Sequence, residues 1–263
     1  MDLHGDKSMG FTDPEVIKYN SDKYLIRDNY KDKQYYLKQL ELINMRINRF
    51  EEKFSNGEVK AGPIAYYGRV SGLLFNKIGI LYVLNVEINI IKQNIQKYFE
   101  MMFQLSKIDK LSYNDIVDLL SLGYLYNIEV GKLEFVKSNM IQENYVDAIL
   151  DLLINKIFNK KVFTTKDFYF KDNLGDRFVK DTDGLMKVIN SNNEQYKNKE
   201  FINYLDKVKS KHFNRLLKEY ERIGEDRYTY TGSYDFKFTA IAKILGIDKE
   251  LLKDSKFIAA DLL

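Results

Sequence analysis

No cysteine occurs among the 263 residues, which excludes disulfides, thiolate metal sites and cysteine nucleophiles. Tryptophan is absent too, and proline occurs only as Pro14 and Pro63. With no proline beyond position 63, long helices can run unbroken, and an all-α fold is the expectation. Charge of one sign is equally scarce. The 41 basic and 38 acidic side chains leave a net charge of +3. That is too little for a phosphate-binding footprint and of the wrong sign for an acidic mimic of DNA. Only two histidines are present, His4 in the lead-in and His212 among lysines. With no cysteine and no second histidine in a structured segment, zinc catalysis is not expected. No Gly-x-Ser-x-Gly elbow is present to join His212 in a nucleophilic triad, and neither a Walker motif nor Gly-x-Gly-x-x-Gly occurs. The opening MDLHGDKSMGFTDPE lacks a basic stretch followed by an apolar one, so no secretion signal is expected.

Two segments invite a functional reading and do not sustain it. Asp181-Thr182-Asp183-Gly184 resembles part of a calcium loop, but the EF-hand register puts Val179 and Asn190 at its first and last ligand positions. Neither is a good ligand for a hard cation there, so no metal and no cofactor are expected. Residues 72–91 are apolar enough to suggest a membrane span. Asn76, Lys77, Asn85, Glu87 and Asn89 interrupt them. A charge near a bilayer centre costs ~3 kcal/mol, so a buried core helix is the expected form. Lys207–Lys218 interleaves basic and apolar residues and reads as a solvated helix face rather than a nucleic-acid contact.

What is present is helical periodicity. Asp13-Pro14-Glu15 reads as a cap with proline at the first helical position. Tyr36, Leu40, Ile43, Ile47, Phe50 and Phe54 step by four and three, the pattern of one buried stripe, and Ser55-Asn56-Gly57 stops it. A long helical region after the Gly/Pro linker at 57–63 should break near Asn85-Val86, where the apolar phase shifts. Ser112 and Asp115 form a capping-box pair, and helices are expected at about 129–139 and 142–158, the second with Val146, Ile149, Leu150, Leu153 and Ile157 on its apolar face. Residues 159–184 break the rhythm, and helices resume at about 184–191, 194–210 and 212–223.

The last stretch is the most informative. Phe236, Ala240, Ile244 and Phe238, Ile241, Leu245 recur at helical spacing. Gly246 sits where a left-handed cap belongs, Ile247 is placed to fold back, and Asp248 can cap a second helix carrying Leu251 and Leu252. The order Tyr230, Gly232, Tyr234, Phe236, Ala240, Ala242, Leu245, Gly246, Ile247, Asp248, Lys253, Asp254, Asp261, Leu262 resembles the C-terminal signature of PoNi-type immunity proteins, the antidotes to PoNe polymorphic nuclease toxins. Arg27-Asp28, Tyr35-Tyr36 and Glu51-Glu52-Lys53 are similar to the start of that family, and residues 121–154 to its middle. The chain departs from the signature in three places. No tryptophan stands in the turn, where Tyr234 takes its position. Lys237 replaces a glutamate of the helix, and Phe257-Ile258-Ala259-Ala260 lacks a proline.

The resemblance implies a cytoplasmic protein that binds rather than catalyses, with a cognate nuclease toxin as partner and neither membrane nor nucleic acid. It implies an N-terminal half over 1–110 and a C-terminal half over 111–263 that carries the signature. The fold expected is a multi-helix bundle of about ten helices in two packed halves. Within it, Tyr230, Gly232, Tyr234, Gly246, Asp248 and Asp261 are expected to act structurally. A basic nuclease cleft would accept an aromatic anchor ringed by carboxylates. Phe168, Tyr169 and Phe170 cannot all face one core, and Asp167, Asp172, Asp176, Asp181 and Asp183 surround them, with Glu225 and Asp226 as a second acidic patch. These ten residues are the candidate toxin contacts. The alternative reading is a helical regulatory or nucleic-acid-binding protein.

Overall fold

The computed structural model describes residues 11–28, 30–145, 147–159, 185–209 and 230–263, together with 214, 217 and 218. Among the described residues the chain is helical and contains no strand. It divides into two compact units, Met1–Tyr98 and Phe99–Leu263, with the division inside a helix.

In the N-terminal unit the expected starts and stops are where the sequence puts them. Helix α1 (Pro14–Tyr19) is capped by Asp13, whose carboxylate accepts from the Glu15 backbone N–H. Helix α2 (Lys33–Ser55) is capped by Asp32 and buries Tyr36, Leu40, Ile43 and Ile47 of the stripe, while Phe50 and Phe54 are half-buried at its end. Helix α3 (Gly62–Val83) packs along α2. It ends at Asn85, which adopts φ +54°, before α4 (Ile88–Ser106). The apolar stretch at 72–91 is therefore a buried half-helix, a turn and the start of another helix. No helix among the described residues is long and apolar enough to cross a membrane. Lys77, one of the residues that interrupts the stretch, pairs with Glu15 at 2.7 Å.

The C-terminal unit begins in α4. Helix α5 (Tyr113–Leu125) opens on the expected capping box, in which Ser112 and Asp115 each receive the other's backbone N–H. A 3-10 turn (Val130–Leu133) leads into α6 (Glu134–Gln142). Helix α7 (Ala148–Phe158) starts six residues later than expected. Asn144 at φ +54° and Asp147 as the cap break the run first. Leu150, Leu153 and Ile154 form its buried face, Ile149 and Ile157 are half-buried, and Val146 lies outside the described residues. Helix α8 (185–190) and α9 (Glu194–Tyr204) follow, and α9 widens into a π turn (Leu205–Lys209) rather than continuing as a regular helix. Helices α10 (Phe236–Leu245) and α11 (Lys249–Leu252) and a terminal 3-10 turn (Ala260–Leu262) complete the chain. Helix α10 lies against α5 and α7.

One device ends five of these helices. The residue after the last turn takes a left-handed conformation, and the next backbone N–H reaches back five residues. The pairs are Glu58 to Lys53, Val86 to Leu81, Ile128 to Gly123, Tyr145 to Met140 and Ile247 to Ala242, at 2.8–3.1 Å. This is the Schellman closure, which satisfies carbonyls that the helix leaves open. Glycine makes the turn at Gly57 and Gly246. Asparagine makes it at Asn85, Asn127 and Asn144, the non-glycine type that best tolerates that region.

Candidate functional site

The C-terminal signature is a closed polar circuit around α10. Asp235 caps the helix by accepting from the backbone N–H of Lys237 and Phe238, and its own N–H donates to the Phe257 carbonyl at 2.9 Å. Thr239 is fully buried. Its hydroxyl donates to the Asp235 carbonyl at 2.9 Å and accepts from the Ala259 N–H at 3.0 Å. The Lys243 ammonium donates to the Leu262 carbonyl at 2.6 Å. Residues 257–262 are thereby strapped along α10, with Phe257, Ile258, Ala259 and Leu262 buried. The apolar centre beneath includes Leu185, Phe201, Ile241, Ala242 and Ile247.

The signature positions are distributed through this circuit. Tyr230 is buried, and Gly232 at φ +104° holds a backbone shape open essentially to glycine. Tyr234 is half-buried. Gly246 closes α10, and Asp248 caps α11 by accepting from Glu250 while its N–H donates to the Asn198 side chain at 3.1 Å. Leu252 is buried and Leu251 exposed. Asp261 is exposed on the terminal turn.

Lys237, where the signature has a glutamate, faces carboxylates. Its ammonium lies 4.0 Å from Asp118 of α5, and its side chain is one-third exposed. Burial works against its charge, but Asp118 and Asp235 outweigh it and hold the pKa above the usual lysine value.

Asp147 is a buried junction that periodicity could not show. One oxygen accepts from the backbone N–H of Ile149 at 3.0 Å and Leu150 at 2.9 Å, and the other accepts from the Tyr113 hydroxyl. The first residue of α5 is thus tied to the start of α7. Burial, with Asp147 alongside, pushes the Tyr113 phenol far above its usual pKa and keeps it a donor. An aspartate just before an apolar run is a cap signal, which the expected helix over 142–158 ran through. Its tyrosine partner, 34 residues earlier, carries no such signal.

The Arg27-Asp28 pair is built into the N-terminal unit. The Arg27 guanidinium donates to the Tyr82 carbonyl at 3.1 Å and to Asn85 at the end of α3, and stacks 4.1 Å from the Tyr82 ring. Asp28 is buried and accepts from the Tyr30 N–H at 2.7 Å. The ten candidate toxin contacts, Asp167, Phe168, Tyr169, Phe170, Asp172, Asp176, Asp181, Asp183, Glu225 and Asp226, lie outside the described residues, as does His212. Among the described residues no three histidine or acidic side chains come together as a metal site would require.

The comparisons with known proteins agree with this picture. Residues 146–262 match the family model described as PoNe immunity proteins (PoNi), C-terminal. By this match the segment is similar to the C-terminal part of PoNi proteins. The match takes in α7 through the terminal turn and so includes the whole circuit around α10, while Arg27-Asp28 and Tyr35-Tyr36 fall before it. The crystal structure of protein PA2201 from Pseudomonas aeruginosa is similar in fold. It has a TM-score of 0.64 at 11% identity, covering 94% of this chain and 92% of that one. At that identity the likeness speaks for the fold alone. No curated protein matches the chain.

Proposed function

We propose that this chain is a PoNi immunity protein that binds a cognate PoNe nuclease toxin and neutralises it by covering the active site or the DNA-binding cleft. The observation that carries the reading is the PoNi match over residues 146–262. Its signature polar groups supply caps and a strap rather than an open constellation of acid, base and nucleophile. Inhibition of this kind is an interface, so no reaction and no cofactor enter. The antidote acts in the cytoplasm of the cell that makes it.

The interface proposed is the aromatic–acidic segment Asp167–Asp183, with Phe168, Tyr169 and Phe170 as anchors, and with Glu225 and Asp226 as a second patch. A nuclease cleft is basic because it must hold phosphate. The chain's net charge of +3 requires that the matching acidity be local. Co-expression with the toxin, pull-down and growth rescue test the reading, and calorimetry separates toxin from duplex DNA as the ligand. Tight binding of toxin without DNA binding is expected. Tight DNA binding with no toxin binding would overturn it. Tyr169→Ala combined with Asp172→Lys is expected to weaken toxin binding by several kcal/mol, on the order of a hot spot plus a charge reversal.

A further inference from the structure

The chain's surplus of positive charge has a definite place. Residues 99–263 hold equal numbers of acidic and basic side chains, so the net charge of +3 resides in the N-terminal unit. Within that unit a row of cations runs along α2. Lys38, Leu42, Arg46, Arg49 and Lys53 step by four, four, three and four, the spacing of one row on a helix. The row is about 22 Å long, within an arc of about 80° that faces away from the buried stripe. Lys38, Arg46 and Arg49 are exposed, and Leu42 and Lys53 are half-buried. Arg69 of α3 joins the row where its guanidinium covers the ring of Phe50, one turn after Arg46, at 5.6 Å. Met45, one turn before Arg49 on the edge of the row, is 59% exposed.

Carboxylates are kept off this row. Glu41 is engaged by Thr12 and the Asp13 N–H, Glu51 lies on the opposite side of α2, and Glu52 flanks the row about 60° round from Arg49. Lys23 and Lys77 of the same unit each pair with a glutamate. Among the described residues no carboxylate pairs with Lys38, Arg46, Arg49 or Lys53. Unneutralised cations gathered on one face call for an anionic partner. A straight row on a helix flank is tangent to a plane, so its cations reach an anionic bilayer surface together. Their long stems carry the charges to the headgroups, and Met45 meets the apolar boundary beneath. Single-stranded nucleic acid asks for open rings on which bases stack, but Tyr35 on this side of α2 is buried and Phe50 lies half-buried beneath Arg69. The phosphate backbone of a duplex offers Met45 no apolar contact. We propose that the α2 row docks the protein, peripherally and reversibly, on an anionic phospholipid surface.

Co-sedimentation of the full chain with vesicles rich in phosphatidylglycerol, beside vesicles of phosphatidylcholine alone, tests this. Capture by the anionic vesicles only is expected, and it should fall as salt rises. Arg46→Gln with Arg49→Gln should lower the partition coefficient at least about tenfold, as loss of two surface charges does. Arg46→Lys with Arg49→Lys should retain it, because a lipid surface responds to charge rather than to the planar fork of arginine. Both arginines are exposed, so the melting curve should not change with either pair. Should the glutamine pair fail to fold, Lys38→Gln with Lys53→Gln decides. Equal capture by both kinds of vesicle overturns the proposal, as does no capture by either, or a glutamine pair that binds as the parent does. Capture of duplex DNA in preference to vesicles, abolished by the glutamine pair, would overturn it in favour of nucleic acid as occupant.

Discussion

In the N-terminal unit, the polar groups that fix helix ends lie at or near the surface. In the C-terminal unit, two of the groups that tie helix ends together, Asp147 and Thr239, are sealed from water. Glu15 receives Lys77 at 2.7 Å and Asn44 at 3.0 Å, Glu41 receives Thr12, and Glu87 receives Lys23 and Tyr24. These clamps join α1 and the segment after it to α2, α3 and the turn before α4, and most have a partner in contact with solvent. Asp147 and Thr239, by contrast, are fully buried, and their partners are backbone N–H groups and a buried phenol. Exposed charge pairs gain little and are screened by salt. Buried hydrogen bonds are expensive to leave half-made. The same task of holding a helix end therefore carries different stakes in the two units, and mutation should reveal them.

The largest effect is expected at Asp147. Asp147→Ala strips the acceptor from two backbone N–H groups and from Tyr113 in a dry site, and should cost about 3–5 kcal/mol in chemical denaturation. A loss below that of an ordinary surface substitution would break the contrast. Next comes Gly232→Val, which forces a branched side chain into φ +104°. A lowered melting temperature is expected, equivalent to about 1–3 kcal/mol. An unchanged melting curve with lost toxin protection would move the turn from the fold to the interface. Lys237→Glu restores the residue usual in the PoNi signature but sets a third carboxylate beside Asp118 and Asp235. Destabilisation of about 1 kcal/mol at neutral pH is expected, reduced by the one-third exposure of the site, and should diminish in acid.

The smallest effect belongs to Glu87. The Lys23 ammonium, backbone hydrogen bonding and the Tyr24 hydroxyl pull its pKa down to about 2 from an ordinary 4.5. A carboxyl with a depressed folded pKa stabilises above its unfolded value and loses that contribution as pH falls through the folded one. Its share of stability should thus be complete at neutral pH and fade between about 4.5 and about 2. Glu87→Gln should flatten that part of the stability–pH curve, and added salt should shrink the difference between the two proteins.

Local signals told most of the fold. Asp13-Pro14, Ser112 with Asp115, and Gly246 with Asp248 each complete a cap within four residues, so the sequence carried them whole. The start of α7 was misplaced because apolar spacing continues through Tyr145, although Asn144 and Asp147 had already ended one helix and begun another. The π turn after α9 has no comparable signal, since Leu205–Lys209 reads as regular helix. Least legible were the circuits between distant segments. Thr239 with Ala259 and Tyr113 with Asp147 pair residues far apart in sequence, and neither partner's spacing announces the other.

The asparagines that close α3, α5 and α6 bear on chemical ageing. Asparagine decays when the backbone nitrogen of the following residue attacks its side-chain amide and closes a succinimide ring. At Asn85, Asn127 and Asn144 that nitrogen belongs to Val86, Ile128 and Tyr145, and each already donates its hydrogen to a carbonyl five residues back at 2.9–3.1 Å. The N–H of the nucleophile is occupied, and the residue that carries it has a bulky side chain. Decay at these positions must wait for the helix end to fray, so its rate reports local opening rather than the intrinsic lability of asparagine. Mass spectrometry of aged protein would then map which of the three helix ends opens most often.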